Sequence, residues 1–279
     1  MKMEQLVLMS KMHLWGIRAI EERRGVMPIK RTDRLGEISK NKQGLTMKII
    51  KYINANDIDV LFIETKEVFK RVTYNRFKSG VIQSKFSPTV HNFGILGDEN
   101  IRDCNGDFLD SYNKWRYMIG RCYSSNSINM HPEYKECFVC DEWKYYKNFK
   151  KWYNENYYNI KDEKMHLDKD ILVKGNKIYS PETCIFVPSR INYLFLQSNK
   201  TRGDLPIGVN YNENNKFFIR VRIDNKIICR YGFNNKYDAF HCYKIEKEKY
   251  IKQVADKYKN KIPNKLYEAM YKWKIEITD

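Results

Sequence analysis

The sequence predicts an α+β fold assembled from several small modules. Short runs of alternating or clustered apolar residues, typical of strands, lie between residues 47 and 63 and between residues 207 and 233. Apolar residues at helical spacing follow these regions, from residue 112 and again after residue 235. The chain has 279 residues, of which 42% are hydrophobic, and this length accommodates about two or three modest cores.

Composition and turn signals divide the chain into a basic N-terminal extension, a small β-rich module, a central core and a separate C-terminal unit. These four parts are residues 1–34, 35–100, 108–198 and 202–279. The extension has helical potential over residues 6–20. The strands of the β-rich module are predicted at residues 47–53 and 58–63, because turn residues separate these two apolar runs.

Two aromatic-rich segments are predicted to supply the central core. The first has four residues at i, i+3, i+7 and i+10, which is helical spacing: Tyr112, Trp115, Ile119 and Cys122. The second contains Trp143, Tyr146, Phe149, Trp152 and Tyr153. Aromatic side chains dominate the packing of small cores, so we expect both sets to be buried rather than to stack on nucleic-acid bases.

The charge balance indicates a polyanionic partner. The chain has 51 Lys and Arg against 34 Asp and Glu, a formal net charge of +17. Like charges in such excess repel one another in a compact state, and nucleic acid is a common partner that offsets the repulsion. A membrane is not expected, since no apolar run approaches the roughly 20 residues that a spanning helix needs.

Cysteine usage predicts a reducing compartment. Seven cysteines, an odd number, lie in a sequence without a recognisable export signal, so we expect reduced thiols and a cytoplasmic location. Cys137 and Cys140 have the spacing of half a zinc site, but a structural zinc needs four ligands and the sequence has no second pair. We therefore expect no structural zinc.

Residues 217–223 have the pattern of a strand with two chemically different faces. One face is apolar and suits packing on a helix: Phe217, Ile219, Val221 and Ile223. The opposite face carries Phe218, Arg220 and Arg222. Arginine forms bidentate hydrogen bonds with phosphates and with guanine edges, so this second face is a candidate DNA contact.

Two further strands and a helix complete the predicted C-terminal unit. Residues 207–211 precede the arginine-bearing strand, and a turn at residues 224–225 leads to a strand at residues 227–233, which adds Arg230. Asn235 is the predicted N-cap of the helix that follows. Three strands packed on one helix make a complete small domain.

This C-terminal unit resembles the ethylene-response-factor-type DNA-binding domain of plants, which also occurs beside nuclease modules in phages and mobile elements. The resemblance is carried by the alternating basic residues of the middle strand and by Gly208, Val209, Tyr211, Gly232, Phe233, Tyr237, Ala239 and Phe240. In that family the sheet lies in the major groove of double-stranded DNA. The resemblance implies DNA contacts at Lys216, Phe218, Arg220, Arg222 and Arg230. Phe217 and Phe218 stand where the family has tryptophan, which bears on base specificity.

A second site is predicted in the centre of the chain. His166, Asp168 and Asp170 alternate along a predicted strand, so we expect their side chains to share one face and to converge on a cation. Carboxylate oxygens suit hard divalent ions such as Mg²⁺, which assist phosphodiester hydrolysis.

The residues that follow give a strand, loop, strand and helix order. Residues 174–176 form the predicted loop and residues 184–188 the return strand. Ser189 is expected to cap a helix that starts at Arg190, with Asn192 in its first turn. This order resembles the ββα-metal core of HNH endonucleases, in the form found in phage-encoded homing-type enzymes. The resemblance extends over most of the chain from residue 35.

The HNH resemblance implies three roles. Asp168 or Asp170 is implied as a ligand of Mg²⁺ or Mn²⁺, and Asn192 as a second ligand on the helix. Asn176 is implied as a brace of the loop. Lys169 stands where the family has its general-base histidine, and lysine cannot deprotonate water at neutral pH unless its pKa is strongly lowered. His166 substitutes for that base, or the site is inactive.

Two functions follow from these resemblances. The first is a divergent HNH-type, metal-dependent endonuclease of phage or mobile-element origin, which acts on double-stranded DNA in the host bacterial cytoplasm and needs no small-molecule cofactor. The alternative is a non-catalytic DNA-binding regulator or inhibitor with a degenerate nuclease core. A divalent ion held by Asn192 and by the carboxylates of residues 168 and 170 favours the enzyme, whereas salt bridges from Lys169 to both carboxylates favour the binding protein.

Overall fold

The computed structural model describes residues 33–196, 203–224 and 226–279. The predicted N-terminal extension, apart from its last two residues, and Asn225 of the predicted turn lie outside these ranges. Within them the chain is a mixture of helices and strands arranged in several small sheets. No helix in these ranges is long and apolar enough to span a membrane. The chain divides into two compact units between Ser84 and Lys85.

The first unit contains a four-stranded antiparallel sheet in the order β1-β2-β3-β4, followed by a short helix. Its elements are β1 (Ile38–Lys40), β2 (Thr46–Asn54), β3 (Asp57–Phe62), β4 (Val68–Val72) and α1 (Tyr74–Lys78). Met47 and Ile49 of β2 alternate with exposed residues and are fully buried, as are Ile58 and Val60 of β3. The two strands predicted for this region are confirmed. The unit ends at Ser84, before the boundary that composition suggested near residue 100.

The second unit begins with short strands and a helical layer. Its first elements are β5 (Pro88–Val90), β6 (Gly94–Ile95), α2 (Asp110–Tyr123), α3 (Ser125–Met130), β7 (Phe138–Val139) and α4 (Tyr146–Asn156), with short 3-10 turns at Pro132–Tyr134 and Glu142–Lys144. All four residues predicted at helical spacing lie on α2 and are buried. In the second aromatic segment Tyr146 and Phe149 are fully buried and Trp152 is nearly so. Both stripes are therefore core.

The predicted strand, loop, strand and helix order in the centre is present. Its elements are β8 (Met165–Asp168), β9 (Ile178–Tyr179), β10 (Ile185–Pro188) and α5 (Ser189–Leu194). β10 pairs antiparallel with β8, and β9 pairs parallel with β7. The helix begins at Ser189 with Pro188 as its N-cap and without a side-chain cap hydrogen bond. The expectation that Ser189 caps the helix is therefore wrong, because Ser189 is already helical.

The C-terminal region contains a three-stranded antiparallel sheet in the order β11-β12-β13 and two helices. Its elements are β11 (Val209–Tyr211), β12 (Phe217–Ile223), β13 (Lys226–Phe233), α6 (Lys236–Tyr258) and α7 (Asn264–Lys272). Asn235 caps α6 as predicted, since its side-chain oxygen accepts hydrogen bonds from the amides of Tyr237 and Asp238. The sequence predicted one helix, and α7 is an addition that buries Leu266 and Met270.

The sheet lies so close to α6 that one turn position requires glycine. Gly208 has a φ of +76°, and a Cβ atom there would lie 2.0 Å from the ring of Tyr243. No other residue type fits both the backbone and this contact.

The C-terminal sheet and the central hairpin share one hydrophobic core. Ile185 and Val187 of β10 belong to the same buried cluster as Val209, Ile219 and Val254 of the C-terminal region. We expected a separate unit from residue 202. The shared core is the reason that contacts do not divide the chain there, and residues 85–279 form one compact unit.

Candidate nucleic-acid interface and central hairpin

The strand β12 presents arginines to solvent on the face that α6 does not cover. Ile219 and Val221 are buried at 0% and 1% exposure, whereas Arg220 and Arg222 between and after them are exposed. The alternation read from the sequence is confirmed. Neither arginine forms an ion pair with another described residue, so both guanidinium groups keep their hydrogen-bond donors for a ligand.

A stacked aromatic pair lies beside these arginines. Phe218 on β12 stacks on Tyr231 of β13, with ring centroids 5.1 Å apart and ring planes 19° apart. Tyr231 is 65% exposed, so the pair presents an apolar surface to solvent beside the arginines. Sequence reasoning missed Tyr231. Its place on this face depends on a register shift between Phe217 and Ile219 in the pairing of the two strands, which alternation alone does not reveal.

Two of the five predicted DNA contacts have partners within the chain. Arg230 is paired with Ile219 across the sheet, and its guanidinium lies 3.3 Å from the carboxylate of Glu246 on α6. Arg230 therefore faces the helix side. Lys216, at the start of the strand, donates a hydrogen bond to the side-chain oxygen of Asn234 at 2.7 Å. The structure thus brings Phe218, Arg220 and Arg222 together on one face and places Arg230 on the other, while Lys216 is exposed at the start of the strand.

In the central hairpin, hydrogen bonds to Asp168 end the strand. Met165 and Leu167 of β8 are buried, and His166 and Asp168 occupy its other face. One carboxylate oxygen of Asp168 accepts hydrogen bonds from the amides of Asp170 and Ile171, both at 2.8 Å. These bonds turn the chain. The expectation that Asp170 extends the face formed by His166 and Asp168 is therefore wrong.

Lys169 and Asn176 hold the loop that follows. Lys169 is 7% exposed, and its ammonium lies 2.6 Å from a carboxylate oxygen of Asp170 and 2.8 Å from the carbonyl oxygen of Asn176. The side-chain amide of Asn176 donates hydrogen bonds to the carbonyl oxygens of Lys169 at 2.9 Å and Ile178 at 2.6 Å. Asn176 therefore braces the loop. Lys169 forms an ion pair with Asp170, one of the two predicted metal carboxylates, and none with Asp168.

The electrostatics of the hairpin fit structural roles for these charges. Burial raises the pKa of Asp168 above its ordinary value, although its two amide hydrogen bonds act in the opposite direction. Burial also lowers the pKa of Lys169, but the hydrogen bond and the charge of Asp170 outweigh burial and raise this pKa above its ordinary value. Lys169 is therefore a protonated ammonium at neutral pH and cannot act as a general base.

Both predicted metal carboxylates have partners within the hairpin. Asp170 directs an oxygen at the Lys169 ammonium, and Asp168 commits an oxygen to two backbone amides. Asn192 lies on α5, the helix that follows β10. Across residues 33–196, 203–224 and 226–279, no group of three or more His, Cys, Asp and Glu side chains could hold a metal ion.

His166 lies among cations that sequence reasoning missed. Burial and the charges of Lys114, Lys164 and Arg121 lower the pKa of His166, so the imidazole is neutral at pH 7. Lys114 and Arg121 belong to α2, and the ammonium of Lys114 donates a hydrogen bond to the carbonyl oxygen of Met165 at 2.6 Å. Lys114 and Arg121 are far from His166 in the sequence, and only the packing of α2 on β8 brings them near it.

Comparisons with known proteins found no match. The chain matches no family model, no curated protein and no solved structure. The two family resemblances drawn from its motifs therefore stay predictions, and the function is inferred from the geometry of the sites.

Proposed function

We propose that this protein binds double-stranded DNA through the uncovered face of the β11-β12-β13 sheet. The observation that carries the proposal is the pair Arg220 and Arg222, exposed at alternate positions of β12 and free of ion pairs, beside the stacked rings of Phe218 and Tyr231. In a chain with a formal net charge of +17, exposed arginines without acidic partners add to the electrostatic repulsion in the folded state. A polyanionic ligand offsets this repulsion.

The chemistry of the face suits a duplex. Two guanidinium groups two residues apart on one strand can form bidentate hydrogen bonds with phosphates or with the O6 and N7 atoms of guanine. A two- or three-stranded sheet fits the width of the major groove. The aromatic pair supplies an apolar surface that can contact a thymine methyl group. This arrangement supports the proposed similarity to the ethylene-response-factor-type domain.

The test uses the full chain and a labelled duplex in fluorescence anisotropy. The double variant Arg220→Ala with Arg222→Ala is expected to lose about 1–3 kcal/mol per base-reading contact, or about one unit of the log–log salt slope per phosphate contact. Arg230→Ala is the matched control, because its guanidinium is engaged by Glu246 on the helix side. Equal affinity of the double variant and the parent protein would refute the proposal.

We propose further that the central hairpin acts as a scaffold, so that the protein is a non-catalytic DNA-binding regulator or inhibitor built on a degenerate ββα-metal-like core. The ion pair between Lys169 and Asp170, at 2.6 Å, carries this second step. One predicted ligand carboxylate faces an ammonium and the other accepts two backbone amides, so the hairpin uses both for its own structure.

An HNH-type DNA endonuclease is the second candidate, and one observation favours it. His166 is neutral at pH 7 and lies on the same face of β8 as Asp168, which is the state that a general base requires. A supercoiled-plasmid cleavage assay with Mg²⁺ and with Mn²⁺ decides between the candidates. The scaffold proposal expects intact plasmid throughout. Metal-dependent nicking that His166→Ala slows about 100-fold or more would establish the endonuclease instead.

A further inference from the structure

Three cations of the second unit lie on α2 and at the start of β8. Lys114 and Arg121 lie on α2, and Lys164 directly precedes β8. The ammonium of Lys114 donates a hydrogen bond at 2.6 Å to the carbonyl oxygen of Met165, the residue after Lys164, and Arg121 lies about two helical turns from Lys114 on the same side of α2. Lys164 is exposed, Arg121 is partly exposed, and the Lys114 side chain retains 19% of its accessible surface, so the group borders solvent.

These cations have little acidic compensation. The hydrogen-bond partner of Arg121 is the phenol oxygen of Tyr179 at 3.5 Å, and its guanidinium lies 5.7 Å from the centre of the Tyr134 ring. The nearest carboxylate to Lys114 is that of Asp110 at 3.9 Å, and the Asp110 side chain is 53% exposed. No ion pair forms at Lys164 within the described ranges. The charge of the group is therefore largely uncompensated.

The cations also act on one another. Burial lowers the pKa of Lys114, and the charges of Lys164 and Arg121 lower it further. Like charges held together at a partly desolvated surface oppose folding, and sites built in this way commonly receive an anion. Hydrogen bonds to the carbonyl oxygen of Met165 and to the phenol oxygen of Tyr179 hold Lys114 and Arg121, respectively, in place before any ligand arrives.

We propose that Lys114, Arg121 and Lys164 form a phosphate-binding site, and that its ligand is a backbone phosphate of the DNA whose binding is proposed above. That the ligand is DNA rests on the proposed function, whereas the claim that the site binds an anion rests on the three cations alone. Arg121 offers a planar donor fork for two phosphate oxygens, and the two lysines offer point charges. The neutral imidazole of His166 adds one N–H donor.

The site lies on α2 and the start of β8, outside the C-terminal sheet, so it makes a second contact surface within the same unit. Phosphate contacts orient a duplex without reading its sequence. The cluster is therefore expected to contribute equally to all duplexes of the same length, whereas the sheet contributes to base preference. This difference separates the two surfaces experimentally.

The principal test compares Lys164→Gln with Lys161→Gln in the full chain. Both lysines are exposed and three residues apart, but only Lys164 belongs to the cluster. Lys164→Gln is expected to weaken duplex binding about three- to tenfold and to reduce the log–log salt slope by about one unit. Lys161→Gln is expected to leave both unchanged. Because Lys164→Gln also relieves repulsion in the free protein, its Tm should stay unchanged or rise by about 1 °C.

A second test of the site uses inorganic phosphate and does not depend on DNA binding. At equal ionic strength, phosphate is expected to raise the Tm of the parent protein more than that of the triple variant Lys114→Gln, Arg121→Gln, Lys164→Gln. A parent protein that shows this excess but does not bind duplexes would retain the phosphate site and refute the proposed function. Duplex binding that Lys164→Gln does not weaken, together with equal phosphate effects on both proteins, would overturn the site and leave the sheet proposal standing.

Discussion

The exposed face of β12 and the turn after β8 both carry charged residues at closely spaced positions, but the two regions use their charges in different ways. On β12, Arg220 and Arg222 extend to solvent and pair with no described acidic group. After β8, the ammonium of Lys169 is buried against Asp170, and Asp168 accepts two backbone amides. The first set of charges is available to a ligand, and the second set fixes the fold.

The difference follows from what surrounds each strand. β12 is the middle strand of a sheet, and α6 covers only one of its faces, so alternate residues must remain exposed. β8 pairs with one strand and then meets a loop that has to reverse, and the unpaired amides of that loop need acceptors. Carboxylates near the end of a short strand satisfy this need. In these two regions, the charges left for a ligand are the ones on the strand whose backbone is already paired.

The largest expected effect comes from exchanging one charge in each region for methionine. Lys169→Met is expected to lower the free energy of unfolding by about 2–3 kcal/mol, because it leaves the carbonyl of Asn176 and the carboxylate of Asp170 without their donor. Arg222→Met is expected to change stability by less than about 0.5 kcal/mol, since its side chain is exposed. Urea denaturation of both variants measures this.

DNA affinity should show the opposite pattern. Arg222→Met is expected to weaken duplex binding by about 1–3 kcal/mol, whereas folded Lys169→Met should bind as the parent does. A Lys169→Met protein that is as stable as the parent and fails to bind DNA would assign Lys169 to the interface. The contrast between the two regions would then be wrong.

Local patterns predicted the parts of this molecule that depend on neighbouring residues. The alternation of residues 217–223 gave the correct face for Phe218, Arg220 and Arg222, because a strand places successive side chains on opposite sides whatever its partner. The N-cap at Asn235 was predicted correctly for a similar reason, since capping involves only the first turn of a helix.

Features that depend on pairing or on distant packing could not be predicted in this way. The register shift in β12 and β13 determines that Tyr231 joins the exposed face and that Arg230 points toward Glu246. The strand end at Asp168 depends on which backbone amides its carboxylate captures. Two of the cations near His166, Lys114 and Arg121, come from α2, and no sequence window that contains β8 includes that helix.

A partly buried lysine that forms no ion pair with a described residue extends the contrast to a third position. Lys247 on α6 lies in a small pocket with Leu194, Phe195 and Trp273, and burial alone lowers its pKa to about 8. Lys247→Met is expected to raise the free energy of unfolding at pH 7 by about 1–3 kcal/mol, because it removes a desolvated ammonium and keeps its apolar stem. Lys249→Met, an exposed change on the same helix, is the control and should stay within about 0.5 kcal/mol.

The pH dependence of the Lys247→Met gain has a definite sign. Below pH 8 the lysine is protonated in both the folded and the unfolded protein, so the full cost of burying its charge applies. Between about pH 8 and about pH 10.4, the ordinary pKa, the folded state releases its proton first and the parent protein gains stability relative to the variant. Urea denaturation at pH 7 and pH 10 should therefore give a smaller gain at the higher pH. A gain that is independent of pH would show that Lys247 is not buried as an ammonium.

The smallest expected effect compares how the two regions begin their helices. The side chain of Asn235 accepts hydrogen bonds from two amides at the start of α6, whereas α5 starts at Ser189 with no side-chain cap. Asn235→Ala is therefore expected to lower the free energy of unfolding by about 1 kcal/mol, and Ser189→Ala by less than about 0.5 kcal/mol. Asn234→Ala is a further control, because Asn234 contacts only the exposed ammonium of Lys216 through its side-chain oxygen. Thermal and urea denaturation of the three variants measure these differences, and an equal loss for Ser189→Ala and Asn235→Ala would show that the start of α5 depends on the Ser189 hydroxyl after all.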